Sequence, residues 1–402
     1  MRLTEKEQAM LNGEMGPGFA RAMRVLVGKA FGAERMVPIS RGHISLSNQE
    51  GDLWFVSKLL EEQAHCMVPP TVNPAYDYEY FKTISKLDEE NERTLKSTID
   101  VYRKLGAILT FDCTPFFENN VPRFGEICSF SASGGAVYVN SVLGARTNRE
   151  AAQSAMCAAI TGVTPEYGLL LEQNRAGDVL IQVEADVDSE YDYELLGYIT
   201  PKKMGQAYHC PVFNGLSKQT TSEQLMDLGT QLNIHGIVPM FHVVGVTPEA
   251  ADVHTAFLGR KDPPVVTITN EDLAQARAEI SAGTGKADFC ILGCPHLTIN
   301  QVGSIAKMLD GQQLAGQLYI FTSTSTKELA LRMGYLDIIH KAGGEIVINS
   351  CVDQPCWSHL YGMSGVTESP KCAYYTKRWN MTFTVKSIPA CIQSVLKGEI
   401  VS

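Results

Sequence analysis

The chain has 402 residues, 45% of them hydrophobic, and a formal net charge of −10 from 34 basic and 44 acidic side chains. That length holds two or three domains around a large core, and the acidic balance argues against the basic face that nucleic-acid binding needs. No run of about 18 apolar residues occurs and no apolar stretch follows Met1-Arg2-Leu3-Thr4, so neither a membrane helix nor a signal peptide is expected. A cytoplasmic location follows, and there the eleven cysteines read as free or metal-bound rather than disulfide-paired.

Thr4 caps a first helix ending near Gly13, and 19–30 forms a second. Met36 to Ser40 reads as a strand opening into a polar loop over Arg41–Asn48, whose hydroxyls and backbone N–H groups suit an anion. Leu53 to Gln63 reads as a helix, and Cys66-Met67-Val68 as a strand stopping at Pro69–Pro74. Glu79 to Leu105 carries two charged amphipathic helices. Ala107 to Phe111 reads as a strand leading into Cys113. Ala136 to Val139 reads as another, followed by a loop rich in Arg146, Arg149 and amides, a composition suited to carboxylate or phosphate. A helix is expected over 151–160.

Val179 to Ala185 alternates like a half-exposed strand, and 222–231 reads as an amphipathic helix. Gly236 to Val244 reads as a strand broken by Pro239. Strands are also expected at 265–268, 287–292, 317–321 and 346–348. Helices are expected at 271–280, capped by Asn270, and at 299–309, 327–333 and 336–342. Repeated strand–loop–helix units with polar residues at the same strand end define a largely parallel α/β architecture. A boundary is placed near 170–215 within one region spanning 1–402.

Three of these strands are each followed closely by a cysteine: Cys113, Cys294 and Cys351. Ligands in open α/β sheets bind at the carboxyl ends of strands, so three thiolates there can hold iron or zinc. Three buried free thiols are the plain alternative. The Walker loop, the dinucleotide fingerprint, the nucleophile elbow and Cys-x-x-Cys are all absent. Lys371, in a loop with Ser369 and two tyrosines, can balance a substrate anion or sit on the surface.

Cys113-Thr114-Pro115-Phe116, the run Val139 to Glu150, Val244 to Glu249 and Gly293-Cys294-Pro295-His296 together resemble the large subunit of the aconitase X family, over nearly the whole chain. The resemblance implies an aconitase-like, multi-domain α/β body that lacks the swivel domain. It implies an iron-dependent hydro-lyase, with cis-3-hydroxy-L-proline as lead substrate and mevalonate 5-phosphate as alternative. Cys113, Cys294 and Cys351 become ligands of an iron–sulfur cluster or a mononuclear iron. Asn140, Arg146 and Lys371 become candidates for catalysis. His43, Ser45, Leu46, Ser47, Asn73, Pro74, Ser141, Arg149 and Ser369 become candidates for substrate binding. The base is expected to be a serine on a small swivel-domain subunit. The loop after Cys351 and Cys372 itself depart from the family pattern, so Cys356 or Cys372 is an alternative ligand. An iron-binding regulatory protein without turnover and a zinc hydrolase are the readings from other classes.

Overall fold

The computed structural model describes residues 1–29, 31–46, 50–205 and 207–401. Ser47, one of the expected substrate contacts, lies outside them, as does Asn48. The strands are β1 (Met36–Pro38), β2 (Arg41–Ile44), β3 (Thr71–Val72), β4 (Cys128–Phe130), β5 (Val163–Pro165), β6 (Val179–Val183), β7 (Pro211–Asn214), β8 (His242–Val243), β9 (Val265–Ile268), β10 (Phe289–Leu297), β11 (Gln317–Thr322), β12 (Gly344–Val347), β13 (Ser364–Thr367) and β14 (Thr382–Val385).

They form three parallel sheets, in the orders β3-β2-β4, β8-β7-β6-β9 and β12-β11-β10-β13-β14, and one short antiparallel pair, β1-β5. The parallel pairing follows from helical crossovers between strands. Separate cores lie on the second and third sheets, around Ile181, Phe213 and Leu228 and around Leu292, Ile320 and Ile346. A third core runs from the first sheet to residues beside β10, including Ile44, Val72, Cys294 and Trp357.

Many expected elements are present, among them the Thr4 capping box and the helices Glu5–Asn12, Ser222–Gly236 and Ile299–Leu309. Several are not. Ala136–Val139 belongs to a helix, Ser133–Ser141, that is buried at every residue from Gly135 onward. Burial on all sides removes the polar stripe that marks a helix in sequence. Its Tyr138 stacks on Phe116 with centroids 4.3 Å apart. Arg41–Ile44, expected as loop, is the central strand of the first sheet, and its partners are the unexpected β4 and β3.

Cys66–Val68 is irregular, and the strand lies four residues on, at Thr71–Val72. Ala107–Phe111 forms no strand; Ile108 makes a single bridge to Thr71, and Phe111 has a φ of 47°. The segment 236–244 keeps only β8, because Gly236 closes the preceding helix. Thr269, not Asn270, caps the helix Asn270–Ile280. No helix among the described residues is long and apolar enough to cross a membrane.

Candidate active site

Strand β10 is buried along all nine of its residues and runs past Cys294 to Leu297. Gly293 has a φ of 104°, and a Cβ there would lie 2.2 Å from the Phe321 carbonyl oxygen, so only glycine fits. The turn is fixed from the other side by Glu368, whose Oε1 accepts the Gly293 N–H at 2.6 Å and the Cys294 N–H at 3.4 Å. Ser369 donates its hydroxyl to the Cys294 carbonyl at 2.5 Å and caps the short helix Pro370–Tyr375, which carries Lys371.

Cys113 and Cys351 enter on irregular backbone. Asp112 N–H donates to the Val72 carbonyl, and Cys351 N–H to the Ala75 carbonyl, so both segments are pinned to the chain around β3. His296 joins all three cysteine-bearing segments. Its Nδ1 lies 3.1 Å from Asp112 Oδ1, its Nε2 lies 3.0 Å from the Ser350 carbonyl, and its backbone N–H points at Cys113 Sγ at 3.3 Å. Asp112 Oδ1 also accepts from the N–H and hydroxyl of Thr114. Burial pushes the Asp112 carboxyl up, but the His296 and Thr114 contacts outweigh it and hold it below its usual range.

The three sulfurs lie within electrostatic reach of one another, and Lys371 is their common cationic neighbour. Burial pushes the Cys113 thiol up to about 12 and raises Cys294 and Cys351 as well, with Lys371 pulling each back. Burial lowers Lys371, and the thiolates more than reverse it. The two effects are one linkage: sulfur ionises more easily beside an ammonium, and the ammonium keeps its proton beside ionised sulfur. Among the described residues, no three His, Cys, Asp or Glu side chains already stand in metal-holding geometry. The chemistry of the donor set nonetheless fits a thiophilic centre, since soft thiolates select iron–sulfur clusters and related metals. Cys356 and Cys372 are fully buried and also interact electrostatically with Cys351.

The remaining expected residues fall into two groups. Near the thiols are Tyr375, which interacts with Lys371, Cys294 and Arg149, and His43, which interacts with Asp112. The buried His43 holds Asn73 Oδ1 through Nε2 at 2.6 Å and Thr71 through Nδ1 at 2.8 Å. Pro74 is buried next to Asn73. The Ser45 backbone N–H donates to the Ser131 hydroxyl oxygen at 2.6 Å, and Leu46 is buried beside it.

The second group supports the scaffold. Asn140 is buried and exchanges two hydrogen bonds with the backbone of Thr147, at 2.9 and 3.0 Å. Its Oδ1 also accepts from Arg175. Ser141 accepts the Phe241 N–H. Arg146 donates to the Leu170 carbonyl and pairs with Glu172. The side chains of Asn140, Ser141 and Arg146 are thus occupied within the scaffold, whereas exposed Arg149 makes no hydrogen bond or ion pair among the described residues. These contacts hold the stretch 140–150 in place, with the Arg149 side chain exposed. The sequence assigns no role to His296 or Glu368, and the available signal is their adjacency to Cys294 and Ser369.

Sequence profiles of the aconitase X first, second and third domains match residues 1–173, 177–278 and 287–397. The chain belongs to the aconitase X family. It is 33% identical to the phosphomevalonate dehydratase large subunit of Thermococcus kodakarensis, over 98% of this chain and 99% of that one. It is 35% identical to the protein of that name from Methanothermobacter thermautotrophicus, over 93% of each chain. It is 32% identical to cis-3-hydroxy-L-proline dehydratase of Pseudomonas aeruginosa, over 88% of this chain and 63% of that longer one. The crystal structure of Thermococcus kodakaraensis aconitase X in its holo-form superposes with a TM-score of 0.87 at 31% identity, covering 98% of this chain and all of that one. The aconitase X chain described here is a lyase, a hydro-lyase of the dehydratase type.

Proposed function

We propose that this aconitase X chain is the large subunit of a two-subunit dehydratase acting on a small phosphorylated 3-hydroxy carboxylate of the mevalonate 5-phosphate type. One observation carries the reading. Lys371 stands by the thiol cluster and Arg149 interacts with Tyr375 beside it, and neither side chain has a hydrogen bond or ion pair among the described residues. The acidic groups there are engaged: Asp112 with His296, Asp353 with Arg378, and Glu368 with backbone N–H groups. Two free cations suit a carboxylate and a phosphate. The cationic amine of a hydroxyproline would need a free carboxylate instead. Glu166 pairs with Arg35 beside β1 and β5. The geometry therefore moves the preference from the amino acid to the phosphorylated acid. Cis-3-hydroxy-L-proline stays as second reading because Asp112 Oδ2 is buried without a hydrogen-bond partner among the described residues.

In this reading Cys113, Cys294 and Cys351 hold an iron–sulfur cluster or a single iron. Such a centre, when bound, supplies the Lewis acid that eases departure of the substrate hydroxyl. Elimination breaks the substrate's Cα–H and Cβ–O bonds; the proton passes to a base, and the hydroxyl leaves, with a proton, as water. The base is the serine of the small swivel-domain subunit. Lys371 holds the carboxylate and the enolate-like charge that grows on it as the proton leaves. Arg149 holds the phosphate. Asn73, with its oxygen fixed by His43, has no partner on its side-chain amide nitrogen among the described residues and can donate to substrate, and the Ser45 hydroxyl lies close in sequence to that histidine. Ser369 fixes the Cys294 turn. The body comprises three α/β parts, with the swivel part on the partner.

The test is turnover by the full chain combined with its separately produced small subunit, with iron and visible absorbance measured on the same sample. The expected preference in kcat/KM for mevalonate 5-phosphate over cis-3-hydroxy-L-proline is about 100-fold or more, since the unpaired site cations would be left desolvated by the wrong substrate. A preference for the amino acid would overturn the substrate assignment, and zinc in place of iron would overturn the metal.

A further inference from the structure

The helices Glu190–Met204 and Ser222–Gly236 meet the end of β10 and the helices Ile299–Leu309 and Ile388–Lys397 across a cavity of about 470 Å³. Its lining contains no Lys, Arg or His. Each of the first two helices contributes an i, i+4 carboxylate pair, Glu190 with Glu194 and Glu223 with Asp227. Like charges at that spacing oppose helix formation.

The outer members have partners: Gln301 donates to Glu190 at 2.8 Å, and Thr298 to Glu223 at 3.0 Å. The inner members have none. Glu194 is 3% exposed and Asp227 7% exposed, and neither makes a hydrogen bond or ion pair among the described residues. Two unpaired buried carboxylates are costly unless each takes a proton or a cation enters the cavity. Metal-holding geometry is not met there. The rest of the wall includes Met226, Leu297, Met308 and Ile388, an apolar surface suited to an alkyl stem.

We propose that this cavity binds a short aliphatic diamine, or a ligand of the same cationic-chain chemistry, with its ammonium ends on Glu194 and Asp227. None of the three cysteines, nor Lys371, lines the cavity, and the proposal does not depend on the dehydratase reading. The cavity adjoins the Cys294 turn: Pro295 and Leu297 line it, as does Glu368, which holds the Gly293 and Cys294 N–H groups.

The experiment is calorimetric titration of putrescine into the full chain near neutral pH, repeated with the double variant E194Q/D227N and with the single variant E194Q. Saturable binding of one putrescine per chain is expected, weakened about tenfold or more in the double variant, as for loss of charge-assisted hydrogen bonds. If the double variant does not fold, E194Q alone must show the weakening. Absence of binding to the wild-type chain, equal binding to the folded variants, or displacement of putrescine by magnesium at equal concentration would each overturn the proposal. A variant that melts higher than a wild-type chain indifferent to putrescine would overturn it too, in favour of a protonated carboxyl pair.

Discussion

His296 sits between the Asp112 carboxyl and the Ser350 carbonyl, 3.1 Å from Asp112 Oδ1 through Nδ1 and 3.0 Å from the carbonyl through Nε2. The ring is buried between the segments that bear Cys113, Cys294 and Cys351. Partners just behind metal ligands typically account for 10- to 100-fold in metal affinity. His296→Gln is expected to weaken capture of cadmium by the three thiols by about 10- to 100-fold, read from the thiolate–metal ultraviolet band of the metal-free chain. It should also lower Tm, because Asp112 loses its buried partner. Unchanged cadmium affinity would reduce His296 to a packing residue.

Arg149 is the opposite case, an exposed side chain with no hydrogen bond or ion pair among the described residues. Arg149→Met should leave Tm within about 1 °C, as surface changes do. In the complex with the small subunit it should lower kcat/KM for the phosphorylated acid by about 10- to 100-fold, the size of a charged hydrogen-bonding contact. Unaltered kinetics would remove Arg149 from the site.

At the scale of elements, the Cys294 turn depends on a glycine and a carboxylate. Gly293→Ala would place a methyl group against the Phe321 carbonyl of the neighbouring strand and force a positive φ on alanine. Strained substitutions of this kind cost about 1–3 kcal/mol. The expected result is a lower urea midpoint together with weaker cadmium capture, because β10 and β11 must separate where Cys294 is held. A midpoint equal to wild type would show that the turn is soft.

The same element shows what the sequence carries. The glycine before Cys294, the apolar run before it and the helix after it are all local signals, and all were legible. Parallel α/β architecture was legible for the same reason. The helix Ser133–Ser141 was not, because it is enclosed by Phe116 and the helix Ser222–Gly236 and shows no polar face. Strands β2, β3 and β4 are two to four residues long, too short for any period to show. In the site, the three cysteines could be picked by position. Which arginine is free could not, since Arg146 is taken by Leu170 and Glu172, contacts 24 and 26 residues distant in the chain.

Over the whole molecule, buried titratable groups of opposite kinds set the pH range of stability. Burial takes His43 from its ordinary 6.5 down to about 4. Its folded value lies below its unfolded one, so the native state binds fewer protons there. The contribution is complete above about pH 6.5 and falls away as pH drops toward 4, by about 3 kcal/mol in all. Burial raises Glu194 and Asp227, each reinforced by the other carboxylates around the cavity. Their contribution has the reverse sign: it is complete below the unfolded carboxyl range and erodes as pH rises. The two trends oppose each other between pH 4 and 6.5, so the wild-type profile there is a difference and its shape alone identifies neither. Variants separate them. In urea denaturation of the full chain, His43→Gln should flatten the acid limb and leave the alkaline side unchanged in slope. E194Q/D227N should raise stability near neutral pH and steepen the acid limb, because fewer raised carboxyls then oppose the histidine contribution, Glu368 and Glu190 among those that remain. An acid limb that keeps its slope in His43→Gln would assign it to other groups and remove His43 as the acid-labile residue of the first sheet.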